Sequence, residues 1–361
     1  MDVPPYHLQT LIKNVSSTGN VQIRCAQALG TEIYVGCSNG ELLRFALQAA
    51  GSNSPEHYTL LSRQSLPSDK PIDEIVIIAS LARVLVLSDR QIHLYTLPAL
   101  DPLSAQIKPI RHIEGLAVDE MQLRRFASGG HSARGVEPVD FCAIKRSSIV
   151  LYTLRDKLTY RTEIPFPGAI CAKRAGLHLC VADKEMYHIV DLNAVSTFPL
   201  LPIVQSNDAK QVKPSITVIN ENEFLLLSWT GQATMGVFIT GDGDPVRGTL
   251  EWNDYPESIT LDYPFVTAVL PNQTVEIHNI ETQVLVQTIP APSHPISSTA
   301  DAVPTERMKL TWSAGGFMVP SSQLASKLKK VPVGLVRKKK EVVVQGEKTG
   351  DVTEDIPVVE V

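Results

Sequence analysis

The chain has 361 residues, enough for one large domain or two ordinary ones; 43% are hydrophobic and 20% charged. Its 25 prolines and 21 glycines, together about 13%, exclude a collagen-like or wholly disordered chain. With 38 acidic against 33 basic residues the net charge is -5, so nucleic acid is not an expected partner. No stretch reaches 18 consecutive apolar residues, and the opening MDVPPYHLQT lacks the basic and apolar regions of a signal peptide. An intracellular protein is expected. The five cysteines (Cys25, Cys37, Cys142, Cys171 and Cys180) form no CxxC pair and sit in or at the end of apolar runs. They read as reduced, small hydrophobes, and zinc is not expected.

In chain order, the strongest signal is a repeated strand-turn-strand unit. The first copy runs from Glu32 to Leu47 and turns through Ser38, Asn39 and Gly40. Asn-Gly suits a hairpin because both residues accept positive φ. Arg83 to Leu97 follows, turning at Ser88 and Asp89, then Phe141 to Leu154, turning near Lys145 to Ser147. Leu177 to Leu192 turns at Ala182 to Lys184, and Phe224 to Ile239 at Thr230 and Gly231. Phe265 to Ile280 turns at Pro271 and Asn272, and a weaker seventh copy spans Met308 to Pro320.

Turn to turn, the copies are spaced by 50, 57, 37, 48, 41 and 43 residues. That is the period of a four-stranded propeller blade. An all-β propeller of seven four-stranded blades is therefore predicted, the first and last copies combining to close the ring being the other possible count. Apolar runs between copies (Ile72 to Ala79, Ile164 to Ile170, Ser215 to Ile219) read as inner strands. Helix is poorly supported almost everywhere, Ser321 to Lys330 being the exception.

The predicted division places the propeller at 1–320, with a flexible insertion at 291–306, and a largely flexible tail at 321–361. That tail is basic and then acidic. Lys327, Lys329, Lys330, Arg337, Lys338, Lys339 and Lys340 put seven positive charges in 14 residues; six acids against the single Lys348 follow from Glu341. A solvated tail is the plain reading. These seven residues are also the candidate contacts with an anionic membrane, through their charges and neighbouring Leu328, Val331, Val333, Leu335 and Val336. No aromatic residue is interleaved, which argues against single-stranded nucleic acid.

Enzyme chemistry finds no foothold. The sequence has no GxGxxG, Walker lysine loop, HExxH or GxSxG, so no catalytic, cofactor-binding or metal residues are assigned and no cofactor is expected. Gly241 to Asp244 superficially resembles a calcium loop but lacks the alternating ligands and closing glutamate, and reads as a turn between strands. His93, His178, His188 and His278 lie in alternating strands and read as sheet residues.

The segments IYVGCSNGELLRFAL, Pro71 to Leu103, VDFCAIKRSSIVLYTL and PFPGAICAKRAGLHLCVADKEMYHIVDL, in that order, resemble a citron homology domain. Together they are similar to the amino-terminal propeller of vacuolar-sorting tether subunits, nearest the fungal relatives of the TGF-beta receptor-associated protein, over about residues 20 to 290. The resemblance implies a non-enzymatic module of a CORVET-like endosomal tether, peripheral on an endosomal or vacuolar membrane, that binds a GTP-bound endosomal Rab GTPase. It also implies other tether subunits as partners, through regions absent here. It assigns no Rab-contact residues. The corresponding subunit of the HOPS tether is one alternative, and a citron-homology scaffold regulating small-GTPase or kinase signalling is another.

Overall fold

Each of the first six hairpins becomes the middle pair of a four-stranded antiparallel sheet whose strands follow one another in sequence order. This computed structural model describes residues 4–12, 15, 21–48, 57–103, 107–127, 137–206, 211–291, 318–320 and 325–330. The six sheets occupy residues 23–65, 72–111, 113–165, 171–202, 216–252 and 258–289. The hairpins form for local reasons. In the second blade Asp89 and Arg90 take positive φ of 49° and 57°, matching the twist that a two-residue turn needs. In the first, Gly40 sits at φ 78°, where an added Cβ would lie 2.9 Å from the Asp69 backbone.

The middle strands are apolar on both faces because each sheet is covered on both sides by its neighbours. Ile144 and Leu151 of the third blade pack on Leu179 and Val181 of the fourth. Leu225, Phe238 and Trp252 of the fifth pack on Val266 and Ala268 of the sixth. The core is thus a ring of interblade layers, as expected for a propeller.

The predicted count of seven four-stranded blades is corrected to six. The supposed seventh hairpin contributes only Met318–Pro320 as a described strand, and this joins a three-stranded sheet with Ala325–Lys330 and Tyr6–Ile12. The amino-terminal strand is paired antiparallel with Ala325–Lys330, Tyr6 opposite Lys330 and Leu8 opposite Leu328. It stands between the sixth and first blades: Tyr6 and Leu8 pack with Phe265, Val275 and Ile289, while Leu11, Ile12 and Val15 pack with Ile23, Val35 and Leu43.

Three further expectations need amendment. Residues 325–330, expected to be helical, are a strand, because pairing with Tyr6–Ile12 outweighs their helix-friendly composition. Ile164 to Ile170 is not an inner strand; the outer strand Leu158–Pro165 ends there, and the inner strand Cys171–Ala175 follows. The helix Glu120–Ala127 was not foreseen. The Asp119 carboxylate starts it, accepting from the backbone N–H groups of Met121 (3.0 Å) and Gln122 (3.3 Å). Apart from Ala291, the proposed insertion 291–306 lies outside the described residues, as does the tail beyond Lys330.

Candidate functional site

The first strand of every blade lines a central channel, which holds a cavity of about 320 Å³. Half of its lining residues are aliphatic, and Arg24, Asp73, Glu74, Glu120 and Lys173 bring charges into it. Arg24 on the first blade lies 3.7 Å from Asp73 on the second. Lys173, on the inner strand of the fourth blade, places Nζ 3.6 Å from Glu74 of the second blade and 3.6 Å from Glu120 at the start of the helix. Burial alone would lower the Lys173 pKa, but the charges of Glu74 and Glu120 outweigh it and hold the value above the ordinary lysine range. Lys173 is accordingly a fixed cation that joins blades two and four to the helix.

Four of the five thiols are unsuited to nucleophilic chemistry. Burial pushes Cys37 and Cys142 up to about 12 and Cys171 up to about 11, and raises Cys180 as well. Cys25 lines the channel, its thiol directed at the Ile72 carbonyl at 3.5 Å. His188 lies 2.9 Å from Asp183, and that carboxylate also accepts from the backbone N–H groups of Glu185 and Met186 at 2.8 Å. Burial opposes ionisation of Asp183, yet these hydrogen bonds hold its pKa below the usual range. The pair shapes a turn.

Because the strands of each blade alternate in direction, two loop faces result. Hairpins between second and third strands share one face with the links between blades. Turns between first and second strands share the other with turns between third and fourth. On that second face Arg247 joins blades five and six: it donates to Glu223 at 2.5 Å and 3.2 Å, and to Glu281 at 2.8 Å. The Tyr263 hydroxyl also donates to Glu281. Gly241 to Asp244 is a turn here, between Thr234–Thr240 and the outer strand Leu250–Trp252.

The seven basic residues singled out in the sequence are only partly located. Lys327, Lys329 and Lys330 fall on the strand Ala325–Lys330, opposite Gln9, His7 and Tyr6. Arg337, Lys338, Lys339 and Lys340 lie outside the described residues. The channel cluster was missed. Its one trace in the sequence is a pair of adjacent charges inside each of two inner strands, Asp73 and Glu74 in IDEIVII and Lys173 and Arg174 in CAKRA.

Comparison with known proteins agrees with this architecture. The VPS3 N-terminal domain family matches residues 18–291. The chain is 24% identical to vacuolar protein sorting-associated protein 3 of Saccharomyces cerevisiae over 76% of its own length and 26% of that protein's. It is 25% identical to human transforming growth factor-beta receptor-associated protein 1, covering 75% of the chain and 30% of the relative. It is 22% identical to the human Vam6/Vps39-like protein, with 74% and 30% covered. The chain thus spans less than a third of the length of these relatives. Among solved structures, the AfRom2 CNH domain superposes with a TM-score of 0.58 at 18% identity, covering 89% of this chain and 98% of that one. The WD40 propeller of Doa1 gives 0.60 at 13% identity, covering 91% and 98%. These two likenesses concern the fold. The module is a CNH-like, non-enzymatic interaction domain related to VPS3 and Vam6/Vps39-like proteins. The chain belongs to the VPS3 N-terminal domain family.

Proposed function

We propose that this propeller binds a GTP-loaded endosomal Rab GTPase, without acting on the nucleotide, as part of a CORVET-like membrane tether in vacuolar protein sorting. The observation that carries the reading is the family match across residues 18–291, in a relative whose name places it in that process. A rigid ring bearing many loops on two faces suits recognition of a folded partner. The corresponding HOPS subunit is the second reading, favoured by the likeness to the Vam6/Vps39-like protein. No helix among the described residues is long and apolar enough to cross a membrane. Peripheral attachment at an endosomal or vacuolar surface is part of the proposal. So is the division into a propeller and a basic-then-acidic tail, with Lys327, Lys329, Lys330, Arg337, Lys338, Lys339 and Lys340 touching anionic lipid.

Titration of the chain against a panel of endosomal Rabs, each loaded with GTP analogue or GDP, tests the reading. Binding near micromolar and selective for the GTP form is expected, because effectors contact only one switch conformation. Equal binding to both forms, or none across the panel, removes it. Flotation with anionic and neutral liposomes tests the membrane contact separately; equal recovery with both kinds would dismiss it.

A further inference from the structure

A propeller blade ends in an outer strand with one unpaired edge, and such edges are ordinarily blunted by charge or proline. Five of the six outer strands here follow that rule. His57–Ser65 carries Arg63, Ile110–Arg111 carries Arg111, and Leu158–Pro165 carries Arg161 and Glu163. Ser196–Pro202 contains Pro199, and Leu250–Trp252 contains Glu251. The outer strand of the sixth blade, Val284–Ile289, reads VLVQTI and has neither. Its first three residues are large, apolar and 55%, 46% and 45% exposed. A bulge at Val286 does not blunt the edge specially, since the outer strands of blades one and three carry the same irregularity.

We propose that Val284–Ile289 is a docking edge that takes an extended, uncharged, β-branched segment of another protein as a fifth strand of the sixth blade. The chemistry of the edge selects that occupant. The strand carries no charged side chain; its Gln287 carboxamide is bound to the Tyr6 backbone, and the nearest carboxylate, Glu281 just before the strand, is held by Arg247 and Tyr263. A charged segment therefore meets no counter-charge along the strand. Among the described residues no strand pairs with its outer edge, which therefore offers main-chain N–H and C=O groups flanked by aliphatic side chains, the features that strand addition uses. A second copy of the propeller is a poorer occupant. Six residues make an edge only about 20 Å long, and two globular bodies meeting along it fall well short of the roughly 1,200 Å² of a stable interface. The inference stands apart from the GTPase reading, since it uses neither loop face.

The test uses the whole chain and a fluorescent peptide of alternating Val and Thr, with the same peptide N-methylated at alternate amides as control. Saturable binding is expected for the first, at least tenfold weaker for the second, and at least tenfold weaker for the L285K chain at an unchanged urea midpoint. Hydrogen exchange should be fast at the outward amides of residues 284–289 in the free chain and slowed by the peptide. Four outcomes would each overturn the proposal: no binding up to millimolar peptide, equal binding of both peptides, unchanged binding by L285K, or edge amides already protected in the free chain. The last would mean that the edge is covered by the chain itself or by a second copy.

Discussion

The side-chain amide of Gln287 holds the backbone of Tyr6 from both sides. Its Oε1 accepts from the Tyr6 N–H at 2.7 Å, and its Nε2 donates to the Tyr6 carbonyl at 2.7 Å. One carboxamide thereby fastens the amino-terminal strand to the outer strand of the sixth blade, 281 residues away. Gln287→Leu keeps the bulk and removes both bonds, and should cost about 2 kcal/mol in urea unfolding. Gln287→Glu keeps only an acceptor and should fall no higher than the wild type. Faster hydrogen exchange over Tyr6–Ile12 should accompany either change; an unmoved midpoint for the leucine variant would show that the clasp contributes no stability.

Two glycines in inner and middle strands should respond oppositely to alanine. A Cβ at Gly36 would lie 2.6 Å from Ile72 Cγ2 and 2.7 Å from Cys25 Sγ, whereas at Gly115 the nearest atoms are 3.8 Å away. Gly36→Ala should therefore destabilise by about 1–3 kcal/mol through overpacking between blades one and two. Gly115→Ala should be neutral or slightly stabilising. Matching midpoints for the two variants would contradict the packing described.

Removing the Arg247 guanidinium should be costly because of what it leaves behind. Glu223 is 4% exposed, and without Arg247 it keeps the Asn220 side-chain amide at 2.5 Å. Arg247→Met should cost about 3 kcal/mol, the penalty of a buried carboxylate without its counter-ion. Adding Glu223→Gln should recover at least half of that loss. A double variant no better than the single one would mean that lost packing, not stranded charge, sets the cost.

Acid should weaken the fold through two buried histidines. Burial pushes the His278 pKa down to about 4 and lowers that of His93. In the unfolded chain both ionise near 6.5. Between about pH 6.5 and 4 only the unfolded state takes up the His278 proton, so that share of stability is full above 6.5 and is lost as pH falls, and His93 adds a loss in the same direction. At pH 5 the His278 share of that loss is roughly 2 kcal/mol. His278→Phe keeps a ring against Trp252, whose centroid is 5.1 Å away, and removes the titration. Its urea midpoint should change less between pH 7 and 5 than the wild type's, and an identical slope would assign the acid sensitivity elsewhere.

The parts legible in the sequence are those buried on both sides. Middle strands such as Glu223–Trp229 are buried throughout and carry long apolar runs bounded by turn residues, so their hairpins stand out. Outer strands such as Leu158–Pro165 are mostly exposed and show no period, which left them unread. The inner strand Cys171–Ala175 was hidden by Lys173 and Arg174, one a channel charge and the other donating to the Gly176 carbonyl at 2.9 Å. The three-stranded sheet was illegible for another reason. Its strands come from residues 6–12 and 318–330, and nothing in ASKLKK signals a partner so distant. The same distance concealed the Glu74, Glu120 and Lys173 cluster, which exists only because the ring returns those strands to one axis.

The shared sheet of Tyr6–Ile12 and Ala325–Lys330 also orders events during synthesis. Each of the six blades is contiguous in sequence and can assemble as soon as its last strand has been made. The strand Tyr6–Ile12, made before any of the six blades, must wait about three hundred residues for its partner Ala325–Lys330. At about 5–20 residues per second that is roughly 15 to 60 s. During this interval Leu11 and Ile12 can already pack on Ile23, Val35 and Leu43 of the first blade, so what is delayed is the backbone pairing of this strand and not the burial of its apolar side chains.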